Sequence, residues 1–302
     1  MSLALTEKFA PPGCGNDKPF VSRRLAVLFL CVFLAGCSAT RIVYNKLDWI
    51  LVWYISDFFT LDDAQQDHLE TVVERNLEWH RRDQLPKYAQ LLREIERNFS
   101  ADVVTLEMLE RYHAHSMVLW DEFIVQITPD MTEFFRTLSQ EQIDEFIANL
   151  EESNQDLWEE YAGKTPEERL ERRQKSTIKG IERFFGRLSD EQQELIHSYQ
   201  ASLHDVSLDW MASRRQWQQD FRDLIVERPP EPEFSDQMMR LMLEPNSDDS
   251  PEYRRRVEEN RQTIMAMMVA LSADLTDKQR KRFSKNLKKN SRNFEILVGQ
   301  KT

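Results

Sequence analysis

Hydrophobic positions recur at intervals of three and four along most of the chain, the spacing of one helical face. After Ser189, the residues Ile196, Tyr199, Leu203, Val206, Trp210, Trp217, Phe221 and Leu224 form a stripe that predicts one long helix. After Ser139, a second stripe runs through Ile143, Phe146, Ile147, Leu150, Leu157, Trp158 and Tyr161. A third follows Ser100, its predicted cap, through Met108, Tyr112, Leu119, Phe123 and Ile127. Polar starts punctuate the stripes. Thr165-Pro166-Glu167-Glu168 is a capping box with proline at the first helical position. Ser250-Pro251-Glu252 and Thr128-Pro129-Asp130 predict further starts, and Pro86 predicts one after Leu85. Proline-rich breaks fall at 228–232 and 244–251. The pattern predicts an all-α protein, an elongated multi-helix bundle.

A short motif recurs at the ends of these stripes: Leu61-Asp62-Asp63-Ala64-Gln65, Leu138-Ser139-Gln140-Glu141-Gln142, Leu188-Ser189-Asp190-Glu191-Gln192 and Leu275-Thr276-Asp277-Lys278-Gln279. Two copies are longer, since Phe134-Phe135 precedes one and Phe184-Phe185 the other at equal spacing. The chemistry is that of a capping box: the first polar side chain accepts an amide of the first turn, and Gln reaches back. The motif also resembles the LTxxQ signature of small periplasmic helical chaperones of the Spy and CpxP type. Capping by itself accounts for these residues.

The N-terminal segment has a different pattern. Arg23 and Arg24 precede an apolar run from Leu25 to Phe33, followed by Leu34-Ala35-Gly36-Cys37. The run is far shorter than the roughly 20 residues a spanning helix needs, and reads as a secretory signal. Its end resembles the lipobox of bacterial lipoproteins. That resemblance implies cleavage before Cys37, a diacylglycerol thioether on its sulfur, and an acylated amino group, with palmitate among the chains. Ser38, rather than Asp, follows the cysteine. By the same resemblance this directs the protein to the outer membrane, body facing the periplasm. The expected organisation is a signal peptide over 1–36, a lipid anchor and membrane-proximal aromatic helix over 37–60, and a periplasmic helical domain over 61–302.

Composition narrows the chemistry. Of 3 cysteines in 302 residues, Cys14 and Cys31 leave with the signal and Cys37 is consumed by lipid, which excludes thiol catalysis and cysteine metal sites. With 7 glycines, phosphate-binding loops, dinucleotide fingerprints and nucleophile elbows have no basis. The formal net charge is −12. Residues 277–302 oppose it with nine basic and two acidic groups. Lys278, Arg280, Lys281, Arg282, Lys285, Lys288, Lys289 and Arg292 therefore make an anion-binding tail on an acidic body. Expected partners are the membrane, through the N-terminal lipid, and envelope proteins or peptidoglycan; a periplasmic address argues against nucleic acid.

After the anchor come Tyr44-Asn45-Lys46-Leu47-Asp48-Trp49, Trp53-Tyr54 and Asp57, then Leu77-Glu78-Trp79-His80-Arg81 and Leu85-Pro86-Lys87-Tyr88. This series resembles a family of proteobacterial lipoproteins catalogued as a domain of unknown function, number 6279. The likeness runs from the anchor to near the C-terminus, with its sharpest motifs in 44–92. It implies a lipid-anchored helical envelope protein and transfers no catalytic residue. Candidate contact residues are Trp79, His80, Arg81 and Arg82, a polar cluster in which a neutral histidine beside two arginines can receive an anion. Trp49, Trp53 and Tyr54 join them, on a segment apolar on nearly all sides that lies on a membrane, grips a partner or forms a buried central helix. No enzyme activity and no cofactor is expected. The role is that of a binding, scaffold or chaperone-like module. The alternative is a metal-binding helical bundle built on two E-x-x-H pairs, Glu110 with His113 and Glu194 with His197, because residues three apart share a helical face.

Overall fold

The computed structural model describes residues 37–300 apart from residue 102 and residues 246–248. The signal segment 1–36 lies outside the described residues, as do residues 301–302. All regular structure among the described residues is helical. The helices are α1 (Cys37–Tyr44), α2 (Leu47–Ser56), α3 (Asp63–Trp79), α4 (Leu85–Ala101), α5 (Leu106–Thr137), α6 (Gln140–Leu157), α7 (Pro166–Phe185), α8 (Asp190–Ala201), α9 (Ser207–Glu227), α10 (Glu233–Leu243), α11 (Pro251–Ala273) and α12 (Asp277–Val298). Five-residue π turns join α3 to α4 (His80–Gln84) and prolong α6 (Trp158–Ala162).

The spine is an antiparallel hairpin. α3 and α4 form one arm and α5, 32 residues and about 48 Å long, the other. Polar pairs run along it as rungs: Asn76 with Asp130, Gln84 with Glu122 at 3.1 Å, and Asn98 with Tyr112 at 2.7 Å. One apolar core forms at each end. The first gathers Val52, Tyr54, Phe58 and Phe59 with Phe134, Phe135, Phe146, Phe221 and Phe234. The second gathers Phe99, Phe185, Leu188, Ile196, Met267 and Leu271. Residues 37–60 are thus not a detached stalk, since α2 and the turn after it are built into the first core.

Each core is closed by two of the recurrent caps. Asp62, Ser139, Ser189 and Thr276 all cap their helices, and Gln65, Gln142, Gln192 and Gln279 each reach back to the cap amide. The same glutamines also meet in pairs. Gln65 and Gln142 exchange amide hydrogen bonds at 3.1 and 2.6 Å, and Gln192 and Gln279 do so at 3.1 and 2.8 Å. The remaining hydrogen of each amide goes to the carbonyl two residues before the partner's cap: Thr137, Thr60, Asp274 and Arg187. Both lone pairs and both hydrogens of every amide are used, so these polar groups can be enclosed without a desolvation penalty.

Three expectations change, and a fourth holds in part. Thr128-Pro129-Asp130 does not start a helix, because Pro129 lies inside α5. It occupies the exposed side, where water can reach the carbonyl it leaves unpaired, while Ile124, Thr128 and Met131 are buried. Pro86 does stand in the first turn of α4, but no break in the helical path precedes it. The π turn just before it shifts the hydrogen-bond register, Leu85 N–H donating to the His80 carbonyl, and the helical path continues. Ser100 sits within α4, donating to Glu96 at 2.9 Å, and Thr105 caps α5 instead. The long stripe after Ser189 is two helices. Between them Asn260 of α11 accepts from the His204 amide at 2.8 Å and donates to its carbonyl at 2.9 Å, replacing the bonds a continuous helix would make.

Candidate functional site

The His80–Gln84 π turn directs the Trp79–Arg82 cluster inward more than outward. His80 Nδ1 and the Tyr44 hydroxyl are hydrogen-bonded at 2.9 Å, with the two rings stacked at 5.9 Å. Tyr88 and Phe123 present edges to the imidazole at 5.5 and 6.1 Å. This enclosure pulls the His80 pKa down to about 4, so the ring is neutral at pH 7. The cause is desolvation, not the adjacent arginines as the sequence suggested. Burial likewise pushes Tyr44 and Tyr88 up to about 12. Arg81 is 7% exposed. Its guanidinium lies over the Tyr44 ring at 5.4 Å and donates to Gln300 O at 3.4 Å and Asn45 Oδ1 at 3.5 Å. Trp79 is half-buried, and Arg82 is exposed and paired with Asp83 at 2.9 Å. Of this cluster, Arg82 alone is fully open to a partner. His80 and Arg81 clamp α1 and the end of α12 to the hairpin, where Tyr44, Leu85 and Leu297 form a small core.

α2 is neither centrally buried nor apolar-exposed all round. Val52 and Tyr54 face the first core. Trp49, 67% exposed, stacks on Trp53 at 6.4 Å on the outer side. Ile42 on α1 and Ile296 and Val298 on α12 are also exposed, and α1, the helix that begins at Cys37, packs on α12 beside the π turn.

α12 packs along α4 and beside α7. Its inner side carries Gln279, Leu287, Ser291 and Leu297. Its outer side carries Lys278, Lys281, Arg282, Lys285 and Arg292, all exposed, with Lys289 half-buried. Spacings of three and four align these cations over about 21 Å. None of the six forms an ion pair among the described residues. Arg187, exposed and equally unpaired there, adjoins the start of α12 through its carbonyl's bond from Gln279. Two members of the expected tail are occupied elsewhere. Arg280 lies over Phe99 at 5.5 Å and donates to Ser272 O, and Lys288 pairs with Glu96 at 3.1 Å. Burial pushes the Glu96 carboxyl up, but hydrogen bonds from Ser284, Lys288 and Ser100 outweigh it and hold the group below the usual range.

The two E-x-x-H pairs stand on α5 and α8. His197 Nδ1 lies 3.9 Å from Glu194 on an open surface. No three His, Cys, Asp or Glu side chains among the described residues are grouped to hold a metal ion. A cavity of about 70 Å³ between α4, α5, α11 and α12 is lined by Phe99, Met108, Tyr112, Met268 and Phe283 among others and is apolar over its surface. No helix among the described residues is long and apolar enough to cross a membrane.

Helical hairpin, paired caps and a cationic outer helix define a class: an all-helical module whose polar chemistry serves packing inside and charge outside. The chain belongs to a family of unknown function, DUF6279, whose model matches residues 57–254. The match starts after the Tyr44–Trp53 segment and ends before α12, so it is shorter than the motifs suggested. No curated protein and no solved structure matches the chain.

Proposed function

We propose that the protein is a lipid-anchored, non-enzymatic binding module of the cell envelope. Acyl chains on Cys37 hold it to the outer membrane, the exposed Ile42, Trp49, Ile296 and Val298 lie against the leaflet, and the body faces the periplasm. The outer side of α12 then engages an extended anionic polymer, for which peptidoglycan has the fitting chemistry: carboxylates at short intervals on a surface a 21 Å row can follow. The observation that carries this reading is the row of cations without carboxylate partners among the described residues, on a chain of net charge −12. With 52 acidic residues available, cations serving stability alone would sit beside them, as Arg93 does with Glu295. The L-[S/T/D]-x-x-Q motifs supply no separate chaperone activity in this account, since all four glutamines are consumed by pairing.

The test is co-sedimentation with purified sacculi, comparing the native sequence with K281E/K285E/K289E. Binding that falls by about tenfold or more in the variant, and with rising salt, supports the reading. Equal sedimentation of both, or binding of the native protein to anionic vesicles but not sacculi, contradicts it.

A further inference from the structure

The helix beside α12 carries unpaired cations of its own. α7 and α12 run antiparallel where they meet. Arg282 lies across Gly186 at the end of α7, and four residues later Asn286 donates to the carbonyls of Phe184 at 2.8 Å and Arg183 at 3.5 Å. The approach at Gly186 depends on its missing side chain, since a Cβ there would stand 3.1 Å from Arg282 Cδ. Lys289, seven residues after Arg282, continues the side of α12 that borders α7. Lys179, seven residues before Gly186, continues the side of α7 that borders α12. The two therefore stand at one level, on helix axes about 8–10 Å apart.

The cations of α7 divide by position. Arg169, Arg172 and Lys175 pair with Asp205, Glu160 and Glu171. Lys179 and Arg187, both exposed, and the half-buried Arg183 form no ion pair among the described residues. Arg282, Lys285 and Lys289 across from them form none there either. Glu182, the only carboxylate within residues 179–187, accepts from the Leu188 amide at 3.1 Å instead. The helix dipole does not explain the cations of α12, whose first turns disfavour positive charge. Two such helices side by side set like charges against one another, a cost that an anion between them would remove.

We infer that α7 is the second wall of the anion site, and that the groove between α7 and α12 takes the peptide stems of peptidoglycan, not its glycan strand. This rests on the reading of α12 as a peptidoglycan-binding element. The glycan of that polymer is uncharged, and its free carboxylates stand on the stems. Arg282 to Lys289 covers about 10 Å and the whole row about 21 Å. A stem of four or five residues spans at most about 13–18 Å when extended, so one stem laid along the groove brings its carboxylates to both walls. Arg187 and Arg282, one on each wall, suit two-pronged contact with a carboxylate.

The test is co-sedimentation of the full lipidated chain, in detergent, with purified sacculi. K179E/R183E should lower binding by about fivefold or more. R215E/R222E, the same change of net charge on α9, should leave binding unchanged. Free stem tetrapeptide added as competitor should release the bound protein, and peptide-free glycan strands should not. Circular dichroism checks that each variant keeps its helix content. Should K179E/R183E fail to fold, K179A/R187A serves in its place, with an expected loss of about threefold. Native-like sedimentation of the α7 variant that folds, an equal loss in R215E/R222E, release by glycan strands, or no release by the tetrapeptide overturns the inference. Each of these leaves the α12 row standing as the site if K281E/K285E/K289E still loses binding. Native protein that ignores sacculi overturns the peptidoglycan reading itself, and this inference with it.

Discussion

Gln65 and Gln142, 77 positions apart, hold one another by both ends of their amides, and Gln192 and Gln279 repeat the arrangement 87 positions apart in the other core. Each glutamine closes its own helix start, grips its partner and pins the strand of chain entering the partner's helix. A residue type usually assigned to local capping thus sets long-range topology. Gln192→Ala should cost about 2–4 kcal/mol, because it strips partners from Gln279, the Asp274 carbonyl and the Ser189 amide together. Adding Gln279→Ala should cost little more, so a double-mutant cycle in urea should show coupling of about 1 kcal/mol or more. Additive losses would show that the pair is incidental.

Two glycines should respond in opposite directions. Gly186, which ends α7, has φ 91 and ψ −171, a region closed to residues with a Cβ. Gly186→Ala should destabilise by about 1–3 kcal/mol in chemical denaturation. Gly180 is within α7, and a Cβ added there would meet no neighbouring side chain within 4 Å. Gly180→Ala should stabilise by about 0.5–1 kcal/mol.

His80 predicts an acid-sensitive clamp. Its pKa falls from 6.5 to about 4 on folding. Between those values the unfolded chain binds the proton and the folded chain does not, so stability declines as pH drops from 6.5 towards 4. The loss amounts to roughly 2–3 kcal/mol at the acid end. In His80→Gln this segment of the pH–stability curve should flatten. A variant curve parallel to the native one would show that other groups carry the acid response.

The helices were legible in the sequence because caps and stripes are local signals: Thr165, Ser250 and the four L-[S/T/D]-x-x-Q starts stand where capping chemistry puts them. What the local pattern lacks is partnership at distance. Nothing near Gln65 names Gln142, and nothing near His204 announces that Asn260, 56 positions on, will interrupt the stripe there. The Trp79–Arg82 cluster was visible as an unusual composition, but its direction depends on a π turn, which rotates side chains away from the faces a 3.6-residue period assigns. The cationic row was readable residue by residue; that six of its members lack ion pairs among the described residues became visible only with the helix packed.

The tether decides what the cationic row can reach, and it is open to direct measurement. Mass spectrometry of the native protein extracted from membranes should find a chain that begins at Cys37 and carries a diacylglycerol thioether and an amide-linked acyl group. Cys37→Ser should release the body from the membrane fraction. A native chain that still begins at Met1 with an unmodified Cys37 would contradict the account, since neither the exposed apolar residues of α1 and α2 nor the outward face of α12 would then have the setting argued for them.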